Sequence, residues 1–90
     1  MDQKVKSLLS LARRAGKVAA GEYAVSPAVK RGKAKLVIIS QDASPRSVKD
    51  MKAMCEYYQV PFVIYGTMEE LGGAIGNEFN AFLAITEEGF

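Results

Sequence analysis

The sequence predicts an α/β protein, a single-domain three-layer α/β/α sandwich around a four-stranded mixed sheet. Three observations predict it. Four helical and four extended apolar patterns alternate along the chain. Glycine or proline stands at most of the boundaries between them. The 90 residues, 49% apolar and 24% charged, have an ordinary globular composition with room for one core and no more. Residues 1–90 are therefore read as one domain.

The first helix is expected over residues 3–15. Val5, Leu8, Leu9, Ala12 and Ala15 recur at helical spacing, Lys4, Lys6, Arg13 and Arg14 fill much of the other circumference, and Gly16 stops it. A short strand over residues 17–20 follows, anchored by Val18. Gly21 turns the chain into a second helix ending at Gly32, with Val25, Ala28 and Val29 apolar. Two starts stand open for this helix. Ser26-Pro27 reads as an N-cap and first-turn proline, which starts it near residue 27. A start near Glu22 instead puts Pro27 inside the helix, where it removes a donor and distorts the turn.

Residues 35–40, built on Leu36-Val37-Ile38-Ile39, have the unbroken β-branched character of a central strand buried on both faces. Ser44-Pro45 then caps and opens a third helix. Val48, Met51, Cys55 and Tyr58 step by helical intervals on its buried face, and it ends near Tyr58. Val60-Pro61 leads into a strand over residues 62–65, closed by Gly66. Thr67-Met68-Glu69-Glu70 has capping-box spacing for a short fourth helix. Its Gly72-Gly73 pair lowers intrinsic stability but lets another backbone come close. The last strand, residues 81–86, precedes a small acidic tail.

Composition narrows the chemistry. There is no histidine and one cysteine, Cys55, which argues against a disulfide framework, a Cys-rich metal site and a Ser-His-Asp hydrolase. Cys55 falls on an apolar helix face and reads as a structural thiol. Glu69 and Glu70 diverge on a helix, and the capping role accounts for Glu70. Gly66, Gly72, Gly73 and Gly76 supply neither a Walker lysine nor dinucleotide-binding spacing. No enzyme, metal or cofactor is expected. The apolar runs are far shorter than the roughly 20 residues of a membrane helix, and the N-terminus lacks the pattern of a signal peptide. A cytoplasmic, soluble protein is the expectation.

The net charge of +2 hides an asymmetry. Residues 1–35 carry +7, with Lys4, Lys6, Arg13, Arg14, Lys17, Lys30, Arg31, Lys33 and Lys35 against Asp2 and Glu22; residues 36–90 carry −5. Positive potential concentrated on a few elements suits a polyanion, although solvated helix faces account for such charges equally well. The best functional candidate is the region from Gly21 to Lys35, where a helix start offers free backbone N–H groups to phosphate. A second is the loop of Gly66, Thr67 and Met68, which a glycine turn and a capped helix explain without a ligand. Tyr23 can stack on a base, or equally pack on Pro27 or cover the edge of the sheet.

Gly21-Glu22-Tyr23-Ala24-Val25, Arg31-Gly32-Lys33-Ala34-Lys35-Leu36-Val37-Ile38-Ile39, Asp42, Pro45, Cys55, Val60-Pro61, Leu71-Gly72 and Gly76 form an ordered set from residue 21 to residue 76, part of a likeness that covers roughly residues 3–86. This set resembles the kink-turn-binding ribosomal protein family, in particular its bacterial YlxQ-like branch. The resemblance implies a noncatalytic domain that recognises sharply bent internal loops in structured RNA and is linked to ribosomes or translation. Its implied partners are structured RNA, as ribosomal RNA or a riboswitch-like kink-turn, and ribosomal proteins, with no membrane. The family's pattern places an Asn-Glu pair after the glycine and a lysine three residues beyond the glutamate. Tyr23, Ala24 and Pro27 stand there instead, removing an amide, a carboxylate and an ammonium. A different RNA target, weaker binding and loss of kink-turn recognition are all open outcomes.

On this resemblance the turn of Gly21, Glu22, Tyr23, Ala24 and Val25 would enter the bent RNA. Lys17, Lys30, Lys33 and Lys35 would approach phosphates on the same side. Gly66, Thr67 and Met68 would form the opposing loop, with Met68 over an exposed base. The rival reading is a protein-interaction module that has lost kink-turn recognition, using Tyr23, Pro27, Tyr65 and Met68 as an apolar patch.

Overall fold

The computed structural model describes residues 2–87, so the end of the expected acidic tail, residues 88–90, lies outside the described residues. Residues 2–87 form α1 (Gln3–Arg14), β1 (Val18–Ala20), α2 (Glu22–Lys30), β2 (Leu36–Ile39), α3 (Pro45–Tyr57), β3 (Phe62–Ile64), α4 (Met68–Ala74) and β4 (Phe82–Ile85). The strands make one mixed sheet in the order β1-β4-β2-β3. β4 runs antiparallel to β1 and β2, with Val18 opposite Ile85 and Leu36 also opposite Ile85, while β2 and β3 are parallel.

Strand alternation builds the three layers. Val37, Ile39, Phe82 and Ala84 point to one face, where Val25 and Val29 of α2 and Met51 and Cys55 of α3 cover them. Ile38, Leu83 and Ile85 point to the other, under Leu9 and Ala12 of α1 and Leu71 and Ala74 of α4. A strand apolar at every position must be covered twice, and β4 is buried at all four. That arrangement matches the expected α/β/α sandwich.

Capping accounts for several boundaries. The Ser44 hydroxyl accepts from the Ser47 N–H at 3.2 Å, with Pro45 opening α3. In α4 both halves of the capping box form: the Glu70 N–H donates to Thr67 Oγ1 at 3.1 Å and the Thr67 N–H to Glu70 Oε1 at 3.0 Å. Asp2 caps α1, its Oδ1 accepting from the Lys4 N–H at 2.9 Å. Tyr58 departs from expectation: it lies just past α3 and is exposed.

The start at Ser26-Pro27 is overturned. α2 begins at Glu22 and carries Pro27 inside. Tertiary packing outweighs the local cap signal, because Val25 must sit on the helix face that meets the sheet, where it is fully buried. Gly21 makes the abrupt turn out of β1 with φ 86° and ψ 162°, a conformation essentially restricted to glycine. The bond that Pro27 cannot donate belongs to the Tyr23 carbonyl, and Tyr23 lies on the exposed face of α2.

Candidate functional site

The chain folds back and forth between two ends of the sheet. At one end β1, β2 and β3 finish and β4 begins. Backbone bonds stitch the loops there: the Gly21 N–H donates to the Phe82 carbonyl (2.9 Å), Ser40 N–H to Ala81 (2.8 Å), Gln41 N–H to Gly66 (2.7 Å) and Asn80 N–H to Met68 (2.9 Å). The Asp42 carboxylate accepts from the Met68 N–H at 2.8 Å. Asp42 is thereby the anchor of α4's first turn.

Two of the expected elements thus share this end. The turn of Gly21, Glu22, Tyr23, Ala24 and Val25 and the loop of Gly66, Thr67 and Met68 are joined through Asn80, which bonds Met68 and whose side-chain nitrogen is 3.8 Å from where a Cβ on Gly21 would lie. Glu22, Tyr23 and Ala24 are exposed, and Tyr23 is 97% exposed, so it does not pack on Pro27. The N–H groups of Glu22 and Tyr23 have no acceptor among the described residues, since the first bonds of α2 run from Ala24 and Val25 to the Gly21 carbonyl. Val25 points into the core, leaving only its backbone near the turn. The second loop is less open: Gly66 is buried, Thr67 and Met68 are half-buried, and both backbone polar groups of Met68 are engaged.

The segment at residues 77–80 was not singled out from sequence. It returns from α4 to β4 beside Gly21 and presents Phe79, which is 64% exposed. Its position is set by Gly72, where an added Cβ would lie 2.7 Å from the backbone of Glu78 and Phe79. The Asn77 N–H also donates to the Gly72 carbonyl at 2.8 Å. The readable signal was the glycine pair in α4. Only Gly72 uses the close approach, since a Cβ on Gly73 meets nothing within 4 Å.

The expected lysines are not on this surface. The Lys17 carbonyl accepts from the Thr86 N–H, the Lys35 N–H donates to Ile85, and the Lys33 N–H donates to Ala28. All three therefore sit where β1 and β2 begin and β4 ends. Lys30 closes α2 at that same far end. α2 alone, nine residues long, sets the ends about 13 Å apart. That exceeds the Debye length of about 8–10 Å in physiological salt, so these cations act on a separate surface. Charge counts along a chain do not reveal which end of a strand each residue occupies.

The rival apolar patch is split as well. Pro27 lines a groove between α2 and β1, whereas Tyr65 packs with the α1/α4 cluster and its hydroxyl accepts from the Asp2 N–H at 3.2 Å. Cys55 is buried; burial pushes its thiol pKa up and the neighbouring Glu56 carboxylate adds to the shift, so it stays protonated at neutral pH.

An open helix start beside an exposed aromatic marks one end of a small α/β/α protein. The chain matches the ribosomal protein L7Ae/L30e/S12e/Gadd45 family over residues 3–90 and belongs to it. It is 40% identical over 83 residues to a Bacillus subtilis (strain 168) protein named RNA-binding protein YlxQ, covering 92% of this chain and 83% of the relative. A solved Bacillus halodurans protein of unknown function superposes with a TM-score of 0.92 at 36% identity, covering 98% of this chain and 89% of that one. The Giardia lamblia 15.5kD RNA binding protein superposes with a TM-score of 0.83 at 29% identity, covering 94% and 72%. Among the described residues, no helix is long and apolar enough to cross a membrane.

Proposed function

We propose that this chain is a noncatalytic, structured-RNA-binding protein of the cytoplasm whose 90 residues act as one domain. Its target is kink-turn-like RNA in a ribosomal or translational setting, with ribosomal RNA and ribosomal proteins as its neighbours. The observation that carries this reading is the open start of α2, flanked by the 77–80 segment, in a chain of this family. The relatives' printed names support RNA as the ligand class.

The N–H groups of Glu22 and Tyr23 offer two donors to phosphate at the positive end of a helix. The Tyr23 ring offers a stacking face, and Phe79 a second aromatic surface on the adjoining segment. Backbone contacts position RNA, and exposed bases in a bent internal loop supply what a straight duplex lacks. Ala24 contributes only backbone, so recognition depends on RNA shape and stacking more than on side-chain hydrogen bonds to base edges. Met68 contributes its half-buried side chain to the wall.

Calorimetric titration against a kink-turn RNA and a straight RNA duplex tests this. Preference for the bent RNA is expected. Tyr23→Ala should weaken it by about 1–3 kcal/mol, the worth of one stacked base. Equal binding to both RNAs rejects shape selectivity. A stable protein complex surviving RNase, with no RNA binding, replaces this reading with the protein-interaction one. Turnover by the isolated chain overturns its noncatalytic part.

A further inference from the structure

The far end of the sheet, opposite the open start of α2, gathers cations from two stretches of chain, residues 13–17 and 30–35. Arg13 and Arg14 end α1, Lys30 ends α2, and Arg31, Lys17, Lys33 and Lys35 stand outside the helices. The backbone bonds Thr86 to Lys17, Lys35 to Ile85 and Lys17 to Ala12 fix these segments to one end. All but the half-buried Lys17 are exposed. Glu56, near the end of α3, and Glu87, after β4, are the acidic residues these elements bring there among the described residues.

Helix polarity explains only part of this set. Arg13, Arg14 and Lys30 complement the negative ends of α1 and α2. Arg31, the C-cap residue of α2, shares that role and Lys33 lies just past it, but Lys35 stands just before β2. No hydrogen bond or ion pair engages the side chains of Arg31, Lys33 or Lys35 among the described residues. Crowding like charges at one pole works against the compact state, so an external anion is the natural counterpart. A groove of about 400 Å³ opens here between β1 and α2, with Arg31 and Lys33 among its lining residues. The small side chains of Ala24 and Pro27 line it too, so it extends from this pole toward the start of α2.

We propose that this basic pole is a second RNA surface, one that grips the phosphodiester backbone of a helical segment without reading sequence. It rests on the proposed function only in taking RNA as the polyanion. The two ends would hold two parts of one folded RNA, the start of α2 at the bend and the pole on an adjoining helix.

The test is fluorescence anisotropy of the full chain with a labelled straight RNA duplex, between about 50 and about 200 mM salt. The wild-type chain should bind this duplex at low salt and release it as salt rises. In Arg31→Gln/Lys33→Gln/Lys35→Gln, three lost phosphate contacts lower the log–log salt slope by about 2.7. The fourfold rise in salt then changes its affinity roughly 40-fold less than it changes the wild type's. These side chains are exposed and outside the core, and an unchanged circular dichroism spectrum and Tm verify the fold. Absence of duplex binding by the wild type at low salt, or a triple variant matching the wild type, overturns the proposal. Loss of kink-turn preference with the triple-variant effect intact would instead overturn only the proposed function.

Discussion

Two neighbouring glycines in α4 should respond to the same substitution in opposite directions. In Gly72→Ala the new methyl group would lie 2.7 Å from the carbonyl carbon and oxygen of Glu78 and from the Phe79 nitrogen. Ordinary contact begins at 3.4 Å, so the 77–80 backbone must retreat by about 0.7 Å. Taken along the bond from the Asn77 N–H to the Gly72 carbonyl, that retreat stretches 2.8 Å to about 3.5 Å, the edge of hydrogen bonding. Overpacking of this kind costs about 1–3 kcal/mol, and the better helix propensity of alanine returns about 1 kcal/mol. Gly73→Ala meets nothing within 4 Å and keeps only the propensity gain. The two variants should therefore differ by about 1–3 kcal/mol, or about 5–20 °C in Tm for a domain this size. Thermal denaturation followed by circular dichroism measures the difference. Equal shifts of the same sign would refute the packing argument, because propensity alone treats the two sites alike. Gly72→Ala should also weaken binding of bent RNA, since Phe79 and Asn80 move with the backbone.

Three further outcomes follow from single sites. Gly21→Ala should cost about 1–3 kcal/mol in urea denaturation. The cause is its backbone conformation and not crowding, since the nearest atom to the new Cβ, Asn80 Nδ2, is at an ordinary 3.8 Å; a neutral result would mean the turn relaxes. Ser40 is fully buried and its hydroxyl has no hydrogen-bond partner among the described residues, so Ser40→Ala should be neutral or stabilising by up to about 1 kcal/mol. A clear loss of stability would reveal an acceptor for that hydroxyl. The raised pKa of Cys55 makes a stabilising contribution that is full below the ordinary thiol value of about 9 and lost as pH rises through the folded value. Stability should therefore fall on the alkaline side, less so in Cys55→Val, and iodoacetamide should modify the native thiol far more slowly than the unfolded one. Identical pH profiles for the two proteins would refute this assignment.

Much of the fold was legible because local and tertiary preferences agree. The run Leu36-Val37-Ile38-Ile39 could only be a strand covered twice, and it is. Ser44-Pro45 and the Thr67/Glu70 box state their helix starts in side-chain chemistry that acts within four residues. α2 is the exception: its true start depends on Val25 reaching the core and on a glycine turn set by β4, both distant in sequence. The site was half legible for the same reason. Gly21 and Tyr23 are visible as a turn and an aromatic, but the 77–80 segment joins them only through Asn80 and Gly72. The lysines were countable, yet their separation from Gly21 follows from strand direction, which residue types do not encode.

The stitching of the open end has a mechanical consequence. Four loops are tied there by backbone bonds of 2.7–2.9 Å, with Asp42 clamping the start of α4. Among the described residues the backbone of these loops is already held, so on the proposed function the ordering cost of docking falls on the nucleic acid and on exposed side chains such as Tyr23 and Phe79. On that proposed function the protein would act as a mould and the RNA as the casting: RNAs that already bend in solution should bind fastest, and the complex should show little change in the protein's own amide exchange.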